Sequence, residues 1–110
     1  MVYKFEDSKE RRIDDDFKIK DIFPTKNQPI DFVICDLDGF HGTFINRKSV
    51  KHYFLLEGYV EIYLNYEKHE LNKYDFIEVP VGVKHCLKRK GNLALICSPS
   101  YDFKYEEIVN

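Results

Sequence analysis

Apolar positions in this chain recur every second residue in short runs, and each run is closed by a turn signal. Residues 30–37 (IDFVICDL) are apolar and β-branched and suit a buried strand. Asp38-Gly39 closes that run, FHGTFI follows, and NRKS supplies the next turn. Residues 50–57 (VKHYFLLE) read as a strand that Gly58 interrupts. YVEIYLN then resumes with Val60, Ile62 and Leu64 on one face and Glu61 and Tyr63 on the other. Tyr66-Glu67-Lys68 reads as a hairpin connection before HELNK. FIEVP, KHCLK and, after the turn Lys90-Gly91-Asn92, LALICS complete the series. Residues 100–110 (SYDFKYEEIVN) end in a stretch read as a short C-terminal helix. Eight or more short strands spaced by turns, without the long helical patterns of a βαβ protein, predict an all-β sandwich or barrel.

Residues 1–29 mix short apolar groups with charge and read as an arm packing on a barrel core at 30–100. Phe17, Ile19 and the Ile22-Phe23 pair predict a short strand on the main body. Pro24 and Pro29 bracket a turn-rich connection. Asp14-Asp15-Asp16 reads as a solvated turn, because three adjacent carboxylates project in different directions.

Composition sharpens this picture in three places. A length of 110 residues makes a single domain, 1–110, with one core, and nine Phe and eight Tyr without Trp favour half-buried sheet. A net charge of −2 leaves no excess of positive charge for a phosphate backbone, so nucleic acid is not an expected partner. No apolar run approaches the roughly 20 residues that span a bilayer, and MVYKFEDSKERR is charged where a signal peptide is apolar. Cys35, Cys86 and Cys97 form no CxxC pair and read as three reduced thiols of a cytoplasmic protein.

The candidate chemistry sits in residues 71–87, LNKYDFIEVPVGVKHCL. Pro80 cannot donate to a ladder and ends a strand, and Gly82 permits a tight turn. The next strand places Val83, His85 and Leu87 on one face and Lys84, Cys86 and Lys88 on the other. The lysines face out, so His85 faces in between two aliphatic neighbours.

These residues resemble the second motif of the cupin superfamily, the RmlC-like jelly rolls. That motif is a Gly-Asp pair, four residues, then Pro-x-Gly-x-x-His. Asp75, Pro80, Gly82 and His85 match it, and Tyr74 stands in place of the glycine. Upstream, residues 53–58 (YFLLEG) resemble the end of the first motif at the correct distance. The resemblance covers roughly residues 30–100. It implies a cupin-type double-stranded β-helix, or jelly-roll barrel, enclosing a pocket and often dimeric.

Metal-binding cupins add His-x-His and Glu from the first motif to the second-motif His. Aligned on Glu57-Gly58, the Glu position falls on Lys51 and the two His positions fall on Phe44 and Asn46. One ligand of the three a catalytic site needs is placed, and an ammonium replaces a carboxylate, so neither metal nor other cofactor is expected. A metal site with unusual ligands including His85 is the remote alternative: His52 should point away beside Lys51, and His41 is out of phase with Phe44 unless a bulge intervenes.

The implied pocket is lined by Phe44, Asn46, Lys51, Tyr53, Val83, His85 and Leu87. Its polar groups point to a small polar metabolite. His85 as base and Tyr53 as acid, with Asn46, Lys51 and Phe44 holding substrate, predict a metal-independent isomerase, epimerase or related lyase of a sugar-like compound. The alternatives are a non-catalytic small-molecule sensor and a dimeric scaffold with a closed pocket. Phe54 and Leu56, on the face opposite the pocket, call for cover from the N-terminal arm or from the second subunit of a homodimer.

Overall fold

The computed structural model describes residues 1–109. Eight strands follow one another: β1 (Glu10–Asp14), β2 (Phe17–Asp21), β3 (Asp31–Asn46), β4 (Val50–Leu64), β5 (Glu67–Leu71), β6 (Phe76–Val79), β7 (His85–Ser98) and β8 (Glu106–Ile108). All pairings are antiparallel. The helical reading of the last residues reduces to one 3-10 turn at Phe103–Tyr105, after which the chain is extended.

Three strands are longer than the turn signals predict, because Asp38-Gly39, Gly58 and Lys90-Gly91-Asn92 lie inside β3, β4 and β7 rather than between strands. They lie side by side. Gly91 pairs with Leu37 on β3 and with Gly58 on β4, and the ladder shifts register between Leu55 and Glu57. Gly58 has φ +92, and a Cβ there would strike the Lys90 carbonyl. Here the three long strands bend together and pass from one sheet to the other. The first sheet runs β1, β2, the first half of β3, the second half of β7, the first half of β4, then β6. The second runs β8, the second half of β3, the first half of β7, the second half of β4, then β5.

Between the sheets lies one apolar cluster that includes Phe17, Val33, Leu37, Leu55, Ile62, Leu87 and Leu93. Each fully buried side chain of this size contributes about 1.5–3 kcal/mol by leaving water. Residues 10–21 extend the first sheet at the β3 edge as a hairpin, and Phe17 and Ile19 enter this core. The core draws on both sheets, with Phe17, Val33, Leu37 and Leu55 from the first and Val60, Ile62, Leu71 and Leu87 from the second. Polar residues gather at one end, where β8 lies on β3.

Candidate functional site

The turn at Pro80–Gly82 delivers His85 as its residues predict. β6 stops at Val79, Gly82 takes φ +84, and its N–H donates to the Asn46 carbonyl at 2.8 Å. Tyr74, in the glycine position, adopts φ +71, and the Asp75 carboxylate accepts from Asn72 N at 2.8 Å. His85 is 1% exposed. Its Nδ1 lies 3.0 Å from the Val83 carbonyl, so that nitrogen carries the proton and Nε2 presents a lone pair.

That lone pair faces Lys51. The ammonium stands 3.1 Å from His85 Nε2 and 2.6 Å from Glu106 Oε1, and Lys51 is 4% exposed. The second oxygen of Glu106 accepts from Asn46 Nδ2 at 2.5 Å. Asn46 is held in turn by Lys48 N and Ser49 N, which donate to its Oδ1 at 2.9 and 2.5 Å. Burial, and then the charge of Glu106, raise the Tyr101 phenol above its ordinary value. Burial, and then the charge of Lys51, push the His85 imidazole down to about 4, so it is neutral at physiological pH. Tyr53 is 1% exposed among the Cys35 and Cys97 thiols, and burial raises it well above 10. His85 bonds Lys51 and Val83, not Tyr53. Of the other lining residues, Leu87 is buried and Val83 packs on the core cluster.

A second imidazole joins the cluster, because the bulge that brings His41 into phase with Phe44 is present. The β3–β7 ladder pairs His41 with Leu87, Gly42 with Cys86 and then Phe44 with His85, so Thr43 is an extra residue. This bulge turns both His41 and Phe44 inward. Gly42 allows it with φ +140, where a Cβ would lie 2.5 Å from Cys86 Cβ. The His41 ring stacks on Phe17 with centroids 3.7 Å apart and lies 4.8 Å from Phe44, which is 6.4 Å from His85. His41 Nδ1 is 2.7 Å from Asp14 Oδ2.

The aspartate run is therefore more than a solvated turn. Asp14 holds His41, and Asp16 Oδ2 accepts from Phe40 N at 2.9 Å. Burial lowers the His41 pKa against the opposing bond to Asp14. His52 points outward, 3.5 Å from Glu78, as its neighbour's inward direction requires.

No family model matches the sequence, and no curated protein is similar to it. Solved structures do match. The nucleoside dehydratase Pac13 superposes with TM-score 0.90 at 20% identity, over 100% of this chain and 91% of its own. A histidine-to-glutamine variant of the Streptomyces protein, with uridine, gives 0.89 at 20% identity, over 99% and 90%. A cupin-2 domain from Rhodospirillum rubrum gives 0.82 at 8% identity, over 100% and 80%. The chain has the cupin fold.

The donor set of this barrel does not fit a metal. The position that carries a glutamate ligand in metal-binding cupins holds Lys51, whose ammonium already bonds the one remaining motif histidine. Among the described residues no group of three or more His, Cys, Asp or Glu is arranged to hold an ion. What this barrel has instead is a buried ammonium between a carboxylate and a neutral imidazole, with a His–Asp dyad one aromatic ring away. Glu106 and Tyr101 escape sequence reasoning because their segment reads as a helix end. Asp14 lies 27 residues from His41, and only the bulge connects the two.

Proposed function

We propose that this cupin is a metal-independent enzyme that removes a proton from carbon beside a carbonyl in a small polar metabolite, sugar-like or nucleoside-like. The observation that carries the reading is the His41–Asp14 dyad at 2.7 Å. An aspartate on Nδ1–H fixes the tautomer, leaves Nε2 as the basic nitrogen and stabilises the imidazolium that forms. Lys51 spends two of its three N–H groups on Glu106 and His85, and the third serves the oxygen of the developing enolate. His85 steadies Lys51 and is the alternative base. Tyr53, the proton donor of the sequence reading, is a weak acid because burial raises its pKa, and Phe44 and Asn46 bound the substrate.

Return of the proton to the opposite face gives epimerisation. Departure of a β-hydroxyl gives dehydration: the C–H electrons form the C=C bond, the C–O bond breaks, and the oxygen leaves as water after protonation. The whole-chain likeness to a nucleoside dehydratase favours the second outcome. The test is incubation in D2O with aldehyde and ketone derivatives of sugars and nucleosides, followed by proton NMR. Deuterium should enter beside the carbonyl, and His41→Gln should slow this by about 10²–10⁴-fold with the fold intact. No exchange with any compound, or exchange indifferent to His41→Gln, sinks the proposal.

The mutual pairing of Lys51 and Asn46 with Glu106 favours a second reading, a binding module without turnover. It predicts ligand stabilisation of about 2.7 kcal/mol at 100 times the dissociation constant, with no chemistry. We also infer a homodimer. Ile34, Ala94, Phe54 and Phe76 form an apolar row across the outer face of the first sheet, with Phe76 57% exposed. Three unpaired thiols support a reducing, cytoplasmic setting.

A further inference from the structure

We propose that Lys51 and Asn46 form an anion subsite that the chain's own Glu106 occupies, and that residues 101–109 are a displaceable strap over it. On the reading of the barrel as a metabolite site, the metabolite then carries a carboxylate or phosphate that takes the place of Glu106.

The receiving half of this contact belongs to the barrel and is arranged independently of the strap. Asn46 is oriented by two backbone N–H groups of the turn that follows it, which leaves its Nδ2 pointing at the anion position. Lys51 is steadied by His85. An ammonium and an amide N–H converging on one carboxylate, 2.6 and 2.5 Å away, make a site for an oxyanion.

The occupying half is held by polar contacts and little else. Glu106 is the one strap side chain that is nearly fully buried, at 3% exposure. Around it Phe103 is 68% exposed, Ile108 60% and Tyr105 39%, so the strap gains little by burying apolar surface. Its other ion pair, Glu107 with Arg47 at 3.1 Å, is 54% exposed on both sides and adds little. The remaining hold is Tyr101 N donating to Asp31 Oδ2 at 2.8 Å and the three-residue β8 ladder on Phe44–Asn46, with Arg47 N donating to Tyr105 O and Val109 N to Thr43 O. A contact made chiefly of charge is one that a competing charge can replace. An open groove of about 470 Å³ has Thr43, His85 and Val109 in its wall and gives a ligand an approach beside the strap.

The test uses the full chain, ¹⁵N-labelled, titrated separately with inorganic phosphate, malonate and, at matched ionic strength, sodium chloride. Phosphate or malonate should bind and raise amide hydrogen exchange at residues 105–109 at least tenfold, while chloride should not; the tighter probe identifies the anionic group. Glu106→Gln, which removes the competing charge and keeps the shape, should bind that probe at least tenfold more tightly. Equal or weaker binding by folded Glu106→Gln overturns the proposal. So does saturation of the native chain with strap exchange unchanged, or absence of binding by the native chain. If Glu106→Gln does not fold, exchange in the native chain decides alone. His41→Gln separates this proposal from the catalytic one, since it should slow deuterium incorporation by about 10²–10⁴-fold and leave anion binding and strap exchange unaltered.

Discussion

Acidification from pH 7.5 to 4.5 should destabilise this protein through its buried imidazoles before its carboxylates titrate. His85 falls from an ordinary value of 6.5 to about 4, by burial first and by the charge of Lys51 second. The folded state therefore binds fewer protons at this site than the unfolded state between those values. Stability rises with pH across that window: the His85 contribution is present above pH 6.5 and is lost as pH falls from 6.5 through about 4. At about 1.4 kcal/mol for each tenfold, the difference amounts to about 3 kcal/mol. Set against a total of about 5–15 kcal/mol for a domain, that is a large share. His41 is lowered as well, so its effect has the same sign. The assay is urea unfolding at pH 7.5, 6.5, 5.5 and 4.5, with the midpoint as readout and the slope m held constant as a check on the two-state assumption. His85→Gln, which keeps an acceptor for Lys51, should remove most of the pH dependence, and adding His41→Gln should flatten the remainder. A native midpoint that does not move between pH 7.5 and 4.5, or one that moves equally in His85→Gln, refutes the reasoning.

Lys51→Met should destabilise by about 3–5 kcal/mol, because it leaves the Glu106 carboxylate buried without its cation. The double variant Lys51→Met/Glu106→Leu should recover at least about 1 kcal/mol of that in thermal unfolding, and no recovery would show that the two residues are not coupled. Gly42→Ala should cost about 1–3 kcal/mol from crowding against Cys86, and it should shift the His41 ring resonances; an unperturbed spectrum would remove the bulge as the device that aims His41. Phe54→Glu should convert a dimer to a monomer in sedimentation equilibrium, and an unchanged mass at dimer would place the interface elsewhere. Elemental analysis of the purified protein should find no stoichiometric transition metal, and a metal lost on His85→Ala would refute the reading of the donor set.

Much of the barrel is legible from alternation alone, because a ladder that runs unbroken carries parity faithfully. Lys51 is inward because Tyr53 and Leu55 are, and His85 is inward because Leu87 is; both follow from period two within one strand. The bends at Gly58 and Gly91 look like turns because a glycine that lets a strand cross between sheets has the same local signature as one that ends it. Parity fails at the bulge. One extra residue, Thr43, reverses the face of everything on its far side, so His41 and Phe44, three apart and formally opposed, share the interior. The partners that give these groups their chemistry are remote in sequence: Asp14 comes from the N-terminal hairpin and Glu106 from a segment with an amphipathic, helix-like composition.

The same distinction separates the two halves of the site. Lys51, His85 and Asn46 sit on long strands whose registers are fixed by the core, and Asn46 is further pinned by its own turn. Glu106 sits on a three-residue strand with mostly exposed neighbours, where no hydrophobic pattern specifies register. A charge placed by the core remains when its partner leaves, whereas a charge placed by its partner leaves when a better partner arrives. The contrast between firmly positioned Lys51 and Asn46 and a weakly specified strap is thus the physical condition under which an incoming anion displaces Glu106 and the barrel stays folded.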